Sequence, residues 1–384
     1  MRVTLTSWAW PAHFLPLIPL GLALRTAGHE VVVAGQPALE NATRNSGLTA
    51  VTVGKDLDSA GIVRSQMQLD SDDQAGFHER TRTSKGAKAL GMFATFADAM
   101  VDDLIEFAGT WKPNLIIYET TSYAGALSAQ VLGVPAVRHL LGLDFTYAAR
   151  QFEGEVLGPL CARFGLDGLN TMSTPAVDPC PPSLQLERDI SPMAMRYIPS
   201  NGSGVLPGWV LEPPSRPRVC LTWGTSLAKL GSHLFIAGDL LRILGELDIE
   251  VIVAITSEQR ELLGEVPGNA KVLESTPLSV VLPTCELLVQ QGGQGTTLTA
   301  ATLGVPQLII PQVPDQVFMA RQTVATGAAR MLLREDLGRE SLIETVRDML
   351  RDTGLRDAAA AIRKENAQRP PPVDLVPALE DLAR

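Results

Sequence analysis

The sequence predicts an α/β protein built from two Rossmann-like domains that face each other across a cleft. Three observations carry this. The 384 residues exceed what one hydrophobic core usually organises. A strand that runs into a loop and then a helix opens the chain at Arg2–Ser7, and the same phrase recurs at Val219-Cys220-Leu221-Thr222-Trp223. A glycine-rich run, Gln291 to Gly295, separates a buried strand pattern from a helix pattern in the second half.

In chain order, Arg2–Ser7 alternates as a strand, a loop runs through Pro16, and a helix follows from about Leu17 to Ala27, where Gly28 ends it. Glu30–Ala34 is the next strand, completing a βαβ opening and hence a parallel sheet. Residues 55–90 are polar and weakly periodic, which predicts a mobile loop or irregular helix. Strands are expected at Leu115–Tyr118 and Ala136–Leu140, around a helix at Tyr123–Leu132. Six prolines between Ser191 and Pro217 mark a linker. The second half has strands near Val251–Ile255, Ala270–Leu273, Glu286–Val289 and Gln307–Ile310. After Pro370-Pro371-Pro372 comes an amphipathic helix, Val373–Ala383. The expected division is a first domain over 1–195, a linker over 196–217, a second domain over 218–366 and a terminal segment over 367–384.

Composition removes several classes of function. Hydrophobic residues at 45% and charged residues at 19% are ordinary for a globular protein, and a net charge of −10 argues against nucleic acid or an anionic membrane as partner. The cysteines Cys161, Cys180, Cys220 and Cys285 lack metal or redox spacing, which fits a reducing cytoplasm. The apolar run Phe14–Leu24 is too short to span a bilayer and lacks the marks of a signal peptide. Asp56-Leu57-Asp58 and Asp70-Ser71-Asp72 have the D-x-D form of cation-binding sugar transferases, but both lie in a solvated charged stretch, so no metal is expected.

The run Gln291-Gly292-Gly293-Gln294-Gly295-Thr296 carries the chemistry. Glycines let the backbone turn and approach a ligand, and the helix beginning near Thr296 aims unpaired N–H groups at it. That is an anion site, suited to phosphate. Asp315 and Gln316 follow the next strand and open at the same sheet edge, so a carboxylate and an amide stand beside the phosphate holder, as a nucleotide-linked sugar requires. His13 follows the first strand, where an imidazole titrating near neutrality suits a general base. Asp144, after the strand ending at Leu140, is either a second base or the N-cap of a helix at Phe145–Gln151. Trp8, Trp10, Phe77, Phe93 and Phe96 are candidates to line an apolar acceptor site, against the plainer reading that they are core.

Together with Ala300, Gly304-Val305-Pro306-Gln307, Pro311, Asp315-Gln316 and Ala320, the glycine-rich run resembles the donor signature of the family 1 (GT-B fold) glycosyltransferases. The likeness is strongest to the bacterial branch that attaches dTDP-deoxysugars to antibiotic aglycones. The resemblance implies acceptor binding by the first domain, donor binding by the second, and a last helix that crosses back onto the first. It makes His13 the base that deprotonates the acceptor hydroxyl, with Glu119 standing where the family often has Asp. It places Thr225 and Ser226 of Trp223-Gly224-Thr225-Ser226 near the diphosphate, and Leu278 of Thr276-Pro277-Leu278 against the nucleobase. One departure stands out: Gln291 occupies a position where the family usually has His, and Gln290 replaces a frequent His.

The activity so implied is inverting transfer of a deoxysugar to a polyketide aglycone through oxygen or carbon. Aromatic polyketides are favoured and macrolides are the alternative. The nucleotide sugar is a co-substrate and no cofactor is expected. Its partners are that donor and a hydrophobic aglycone; a homodimer stays open. A non-catalytic sugar-nucleotide-binding auxiliary protein is the rival reading, motivated by Gln291. A nicotinamide oxidoreductase is disfavoured, because Gly293-Gln294-Gly295-Thr296-Thr297-Leu298 lacks the third glycine of the dinucleotide fingerprint.

Overall fold

A computed structural model describes residues 1–71 and 81–384. The chain divides into two compact units: Met1–Cys180 with Leu186–Arg196 and Pro370–Arg384, and Pro181–Gln185 with Tyr197–Arg369.

The first unit holds a parallel sheet of β1 (Arg2–Thr6), β2 (Glu30–Gly35), β3 (Thr49–Thr52), β4 (Leu115–Glu119), β5 (Ala136–His139), β6 (Ala176–Asp178) and β7 (Met193–Ala194), in the spatial order β3-β2-β1-β4-β5-β6-β7. Helices cover both faces, so the central strands β1 and β4 are buried on both sides. Val3, Leu5, Val31 and Val33 pack on one face with Leu17, Leu20 and Leu24 of the first helical segment, and Leu375, Val376 and Leu379 of the chain's last helices complete that layer. On the other face Trp8, Phe93, Phe96, Leu104, Leu127 and Leu157 form a second cluster.

The second unit has β8 (Arg218–Thr222), β9 (Glu250–Ile255), β10 (Ala270–Glu274), β11 (Leu287–Gln290), β12 (Gln307–Ile309) and β13 (Ala329–Met331), also parallel, in the order β10-β9-β8-β11-β12-β13. Cys220, Ile252, Leu288, Ala300 and Val305 are in one of its core clusters.

Some expectations are revised. The segment before Pro16 is not an open loop: Pro11–Phe14 forms a short helix with proline at its first position, and Ile18–Thr26 continues it. The polar stretch is helical at Ser59–Ser71 and from Thr81 to Asp98. The short strands β3, β6, β7 and β13 carried too few residues to show a period. The proline-rich stretch is not a free tether from Tyr197 on. The Tyr197 backbone N–H donates to Asn366 Oδ1 at 2.9 Å, Asn201 bonds Thr299, and Val210 is fully buried beneath Arg218, whose Nη1 donates to the Val210 carbonyl.

Candidate active site

In an open parallel sheet, ligands bind at the carboxyl edge where the strand order reverses, because the two loops there diverge and leave a crevice. Each sheet has such a point: β1 against β4 in the first unit, β8 against β11 in the second. His13 lies after β1, and Glu119 ends β4. Gly224 lies after β8, and the glycine-rich run follows β11.

At the first switch point His13 Nδ1 stands 3.1 Å from Glu119 Oε1. The carboxylate is fully buried and the imidazole 17% exposed, which leaves a path to its outer edge. Thr121 joins them. Its backbone N–H donates to Glu119 Oε1 at 2.9 Å, its hydroxyl donates to Oε2 at 2.7 Å, and the Trp8 indole N–H donates to that hydroxyl at 3.0 Å. His13 Nδ1 is also 3.1 Å from Thr121 Oγ1. With both acceptors facing Nδ1, the proton belongs there and Nε2 keeps its lone pair, the form a general base needs. Thr121 escaped sequence reasoning; the Glu-x-Thr spacing after a buried strand, with its scope for a local carboxylate-to-N–H turn, is the signal that could have found it.

Asp144 is built differently. It caps the helix Phe145–Ala149 by accepting from Tyr147 N, and its two oxygens also accept from Arg138, Arg188 and Thr146 at 2.7–3.3 Å. Arg188 further pairs with Asp178 at 2.5 Å. A buried carboxylate held by two guanidiniums is a structural hub, because stripping either partner leaves an uncompensated charge. The structure shows the helix-cap alternative that the sequence offered for Asp144 beside that of a base.

The aromatic candidates divide. Trp8 and Phe96 stack at 4.3 Å and are only 2% and 1% exposed, so they are core that backs the His13 ring, 4.7 Å from Trp8. Trp10, stacked on Trp8 at 5.6 Å, is half-buried, and Phe93 lies 6.3 Å from His13. Phe77 lies outside the described residues. His139, at the end of β5, is fully buried; desolvation lowers its pKa to about 4, and its ring bonds the Leu140 carbonyl at 2.8 Å. It stays neutral and is no competitor to His13.

At the second switch point Gly292 takes φ +100°, where a Cβ would also press on Gln316 and Ile309 at 3.1 Å. Gly293 is the N-cap of the helix Gln294–Leu303, so Gly295 and Thr296 fall in its first turn and present free N–H groups. Gln291 is 5% exposed and folds against two glycines: a Cβ at Gly224 (φ +63°) would lie 2.5 Å from its Nε2, and one at Gly293 2.9 Å away. Its Oε1 is buried with no hydrogen-bond partner. Behind it a closed amide network fixes the turn: Gln290 Nε2 donates to Thr297 and Gln307, and Gly292 N–H donates to Gln290 Oε1 at 2.7 Å. Gln290 is thus a framework residue.

Thr225 is exposed, and Ser226 caps the short helix Leu227–Leu230 without a side-chain bond, so both hydroxyls are free of helix-capping duty. Leu278 is half-buried beside the core. Asp315 is exposed in the first turn of the helix Pro314–Ala325. Two expectations change here. Trp223 is wholly buried, with its indole N–H on the Leu234 carbonyl at 2.7 Å, so it supports the loop from below. Gln316 is buried and its Oε1 accepts from Gln312 N–H, which shapes the loop instead of presenting both ends of the amide to a sugar.

The D-x-D carboxylates Asp56 and Asp58 accept backbone N–H groups of Ala38 and Gly61, and Asp72 lies outside the described residues. Among the described residues no cluster of three metal-ligating side chains occurs, and no helix is long and apolar enough to cross a membrane.

Comparison with known proteins places this architecture. Residues 22–224 match the erythromycin biosynthesis protein CIII-like N-terminal domain, and residues 238–382 the corresponding C-terminal domain. The chain is 36% identical to the 10-deoxymethynolide desosaminyltransferase of Streptomyces venezuelae, over 100% of this chain and 97% of that protein. It is 34% identical to the aclacinomycin-T 2-deoxy-L-fucose transferase of Streptomyces galilaeus, over 100% and 96%. The structure superposes on spinosyn rhamnosyltransferase SpnG with a TM-score of 0.86 at 31% identity, covering 99% of this chain and 100% of that one. SpnG has also been solved with thymidine diphosphate and with spinosyn aglycone. The chain therefore belongs to the erythromycin biosynthesis protein CIII-like family and is a GT-B glycosyltransferase of antibiotic biosynthesis.

Proposed function

We propose that the enzyme transfers a deoxysugar from a dTDP-sugar to a hydroxyl or activated aromatic carbon of a polyketide aglycone, with inversion at the anomeric carbon. The single observation that carries the reading is the His13–Glu119 pair at 3.1 Å on the switch point of the first sheet. His13 Nε2 takes the acceptor proton as the new bond forms, and Glu119 steadies the resulting imidazolium. In the second unit, the N–H groups opening the helix Gln294–Leu303, with Gln291 and Thr225, hold the charge that grows on the departing nucleoside diphosphate. Asp315, exposed in the first turn of its helix, is assigned to the sugar hydroxyls, and Leu278 to the base. The dTDP preference is supported by the thymidine diphosphate complex of SpnG. An aromatic aglycone is favoured by half-buried Trp10, stacked on the Trp8 that backs His13, with a macrolide as alternative; relatives named for aklavinone and for erythronolide both match over the whole chain. No metal or other cofactor enters this reading.

The test screens dTDP- and UDP-hexoses against a dihydroxyanthraquinone and a macrolactone, in the presence of chelator, and then compares variants on the pair that turns over. His13→Ala is expected to lower kcat by roughly two to four powers of ten with donor binding kept. Asp144→Asn should chiefly lower stability. An absolute need for added Mg²⁺, or an active His13→Ala, defeats the reading.

A further inference from the structure

The carboxylate beside His13 belongs to a glutamate, whose extra methylene gives it more rotamers than an aspartate at the same strand end. A floppy partner would orient the imidazole poorly. The structure supplies a device that removes this freedom, and we propose that Thr121 is a positioning residue: with the Trp8 indole N–H it forms a relay that fixes the Glu119 carboxylate and thereby the tautomer and basicity of His13. This inference rests on His13 being the base.

Thr121 grips Glu119 at two points, its N–H on Oε1 at 2.9 Å and its hydroxyl on Oε2 at 2.7 Å. Two donors on different oxygens define the plane of the carboxylate, and that plane sets Oε1 3.1 Å from His13 Nδ1. The hydroxyl's direction is itself determined. The Trp8 N–H occupies one of its lone pairs at 3.0 Å, so its own hydrogen turns to Glu119, and only the remaining lone pair faces His13. Trp8 cannot swing away, because Phe96 and Trp10 stack against it at 4.3 and 5.6 Å. Next to the relay, Thr120 Oγ1 bonds Thr146 Oγ1 at 3.0 Å, tying the same loop to the Asp144 hub.

The electrostatic consequence has a definite sign. Each N–H or O–H donor to a carboxylate disperses its charge and weakens its pull on a neighbouring cation. Removing the Thr121 hydroxyl should therefore strengthen the pull of Glu119 on the imidazolium that forms at His13. Glu119 is the ionisable group touching His13 among the described residues. The nearest imidazole on the adjoining strand, His139, meets Glu119 through the backbone and turns its ring to the Leu140 carbonyl.

The experiment compares Thr121→Val, Thr121→Ser and His13→Ala with the parent, using the donor and acceptor that turn over in the screen. Thr121→Val keeps the side-chain volume and the backbone N–H but removes the hydroxyl. It should lower kcat roughly ten- to a hundredfold, the worth of one hydrogen bond to a charged group, with donor KM hardly changed. The acid limb of its pH–rate profile should move to higher pH, because the less-solvated carboxylate favours imidazolium. Thr121→Ser should restore both rate and limb. A parent-like Thr121→Val, or equal losses in Thr121→Val and Thr121→Ser with an unmoved limb, overturns the relay while His13→Ala remains inactive. An active His13→Ala brings down the base reading and the relay with it. If Thr121→Val does not fold, Trp8→Phe carries the test: it keeps the ring, removes the polarising N–H, and should shift the limb the same way by less. An unmoved limb there overturns the proposal.

Discussion

A single side chain distinguishes the donor site of this enzyme from the histidine its signature leads one to expect. Gln291 sits on the helix N-terminus with Oε1 unpartnered and Nε2 lodged between Gly224 and Gly293. An amide donates as a neutral imidazole does, but it never becomes cationic. Gln291→Ala is expected to weaken dTDP binding by about 1.5–3 kcal/mol, read by calorimetry. Gln291→His should bind dTDP with an affinity that rises as pH falls through neutrality, a dependence absent from the parent at this position; identical binding by Gln291→Ala would move the diphosphate elsewhere. A second residue-scale prediction concerns His139. Its pKa is lowered to about 4 by burial, so between the unfolded value of 6.5 and about 4 the unfolded chain takes up a proton that the folded one refuses. Its contribution is complete above the unfolded value and is lost as pH falls towards the folded one. Denaturant titrations should show His139→Asn, which keeps a donor for the Leu140 carbonyl, losing about 2 kcal/mol less than the parent between about pH 7 and about pH 5. His13, Glu119 and the glycine run were legible because they sit in motifs. Thr121 and the Arg138–Asp144–Arg188 hub were not, because the Trp8 and His13 that meet Thr121, and the Arg188 that meets Asp144, are far from them in sequence.

At the scale of elements, β2, β4, β9 and β11 could be read from the sequence because apolar residues dominate them, as burial on both faces requires, and β1 and β8 because each opens a strand–loop–helix phrase. The strands of two to four residues at the sheet margins had no such signal, and the proline-rich stretch misled because proline content measures lost N–H donors and says nothing of the carbonyls and Asn side chains that still bond. The element that matters most for donor binding is the turn from β11 into the helix Gln294–Leu303. Gly292→Ala forces a Cβ onto a φ of +100° and against Gln316 and Ile309 at 3.1 Å. A loss of roughly 1–3 kcal/mol in stability is expected, measured by thermal or chemical melting. Because the same turn aims the helix N–H groups, dTDP affinity should fall with it. Unchanged melting would mean that the turn relaxes at no cost.

At the scale of the whole molecule, the two units repeat one plan. In register, Thr6 pairs Tyr118 and Leu221 pairs Val289, so Glu119 lies one residue past its switch-point pair and Gln291 two residues past its own. In the proposed reaction Glu119 brings the carboxylate that steadies a cation in the making, and Gln291 the neutral amide that meets an anion. The units differ in how the chain closes them. Leu375, Val376 and Leu379 complete the layer beneath Leu17, Leu20 and Leu24, and His29 Nε2 lies 3.0 Å from Glu380. Leu379→Ala should cost about 2–5 kcal/mol by cavity formation, destabilising the first unit while dTDP still binds the second; equal loss from both would show that they unfold together. This closure also orders events during synthesis. The second unit has its whole sequence once Arg369 has left the ribosome, whereas the first must wait for Leu375–Leu379 with an apolar helix face uncovered. A nascent chain of this enzyme is most exposed to aggregation and to chaperone capture through the helix Ile18–Thr26, and it is released from that hazard by residues made after the whole of the second unit.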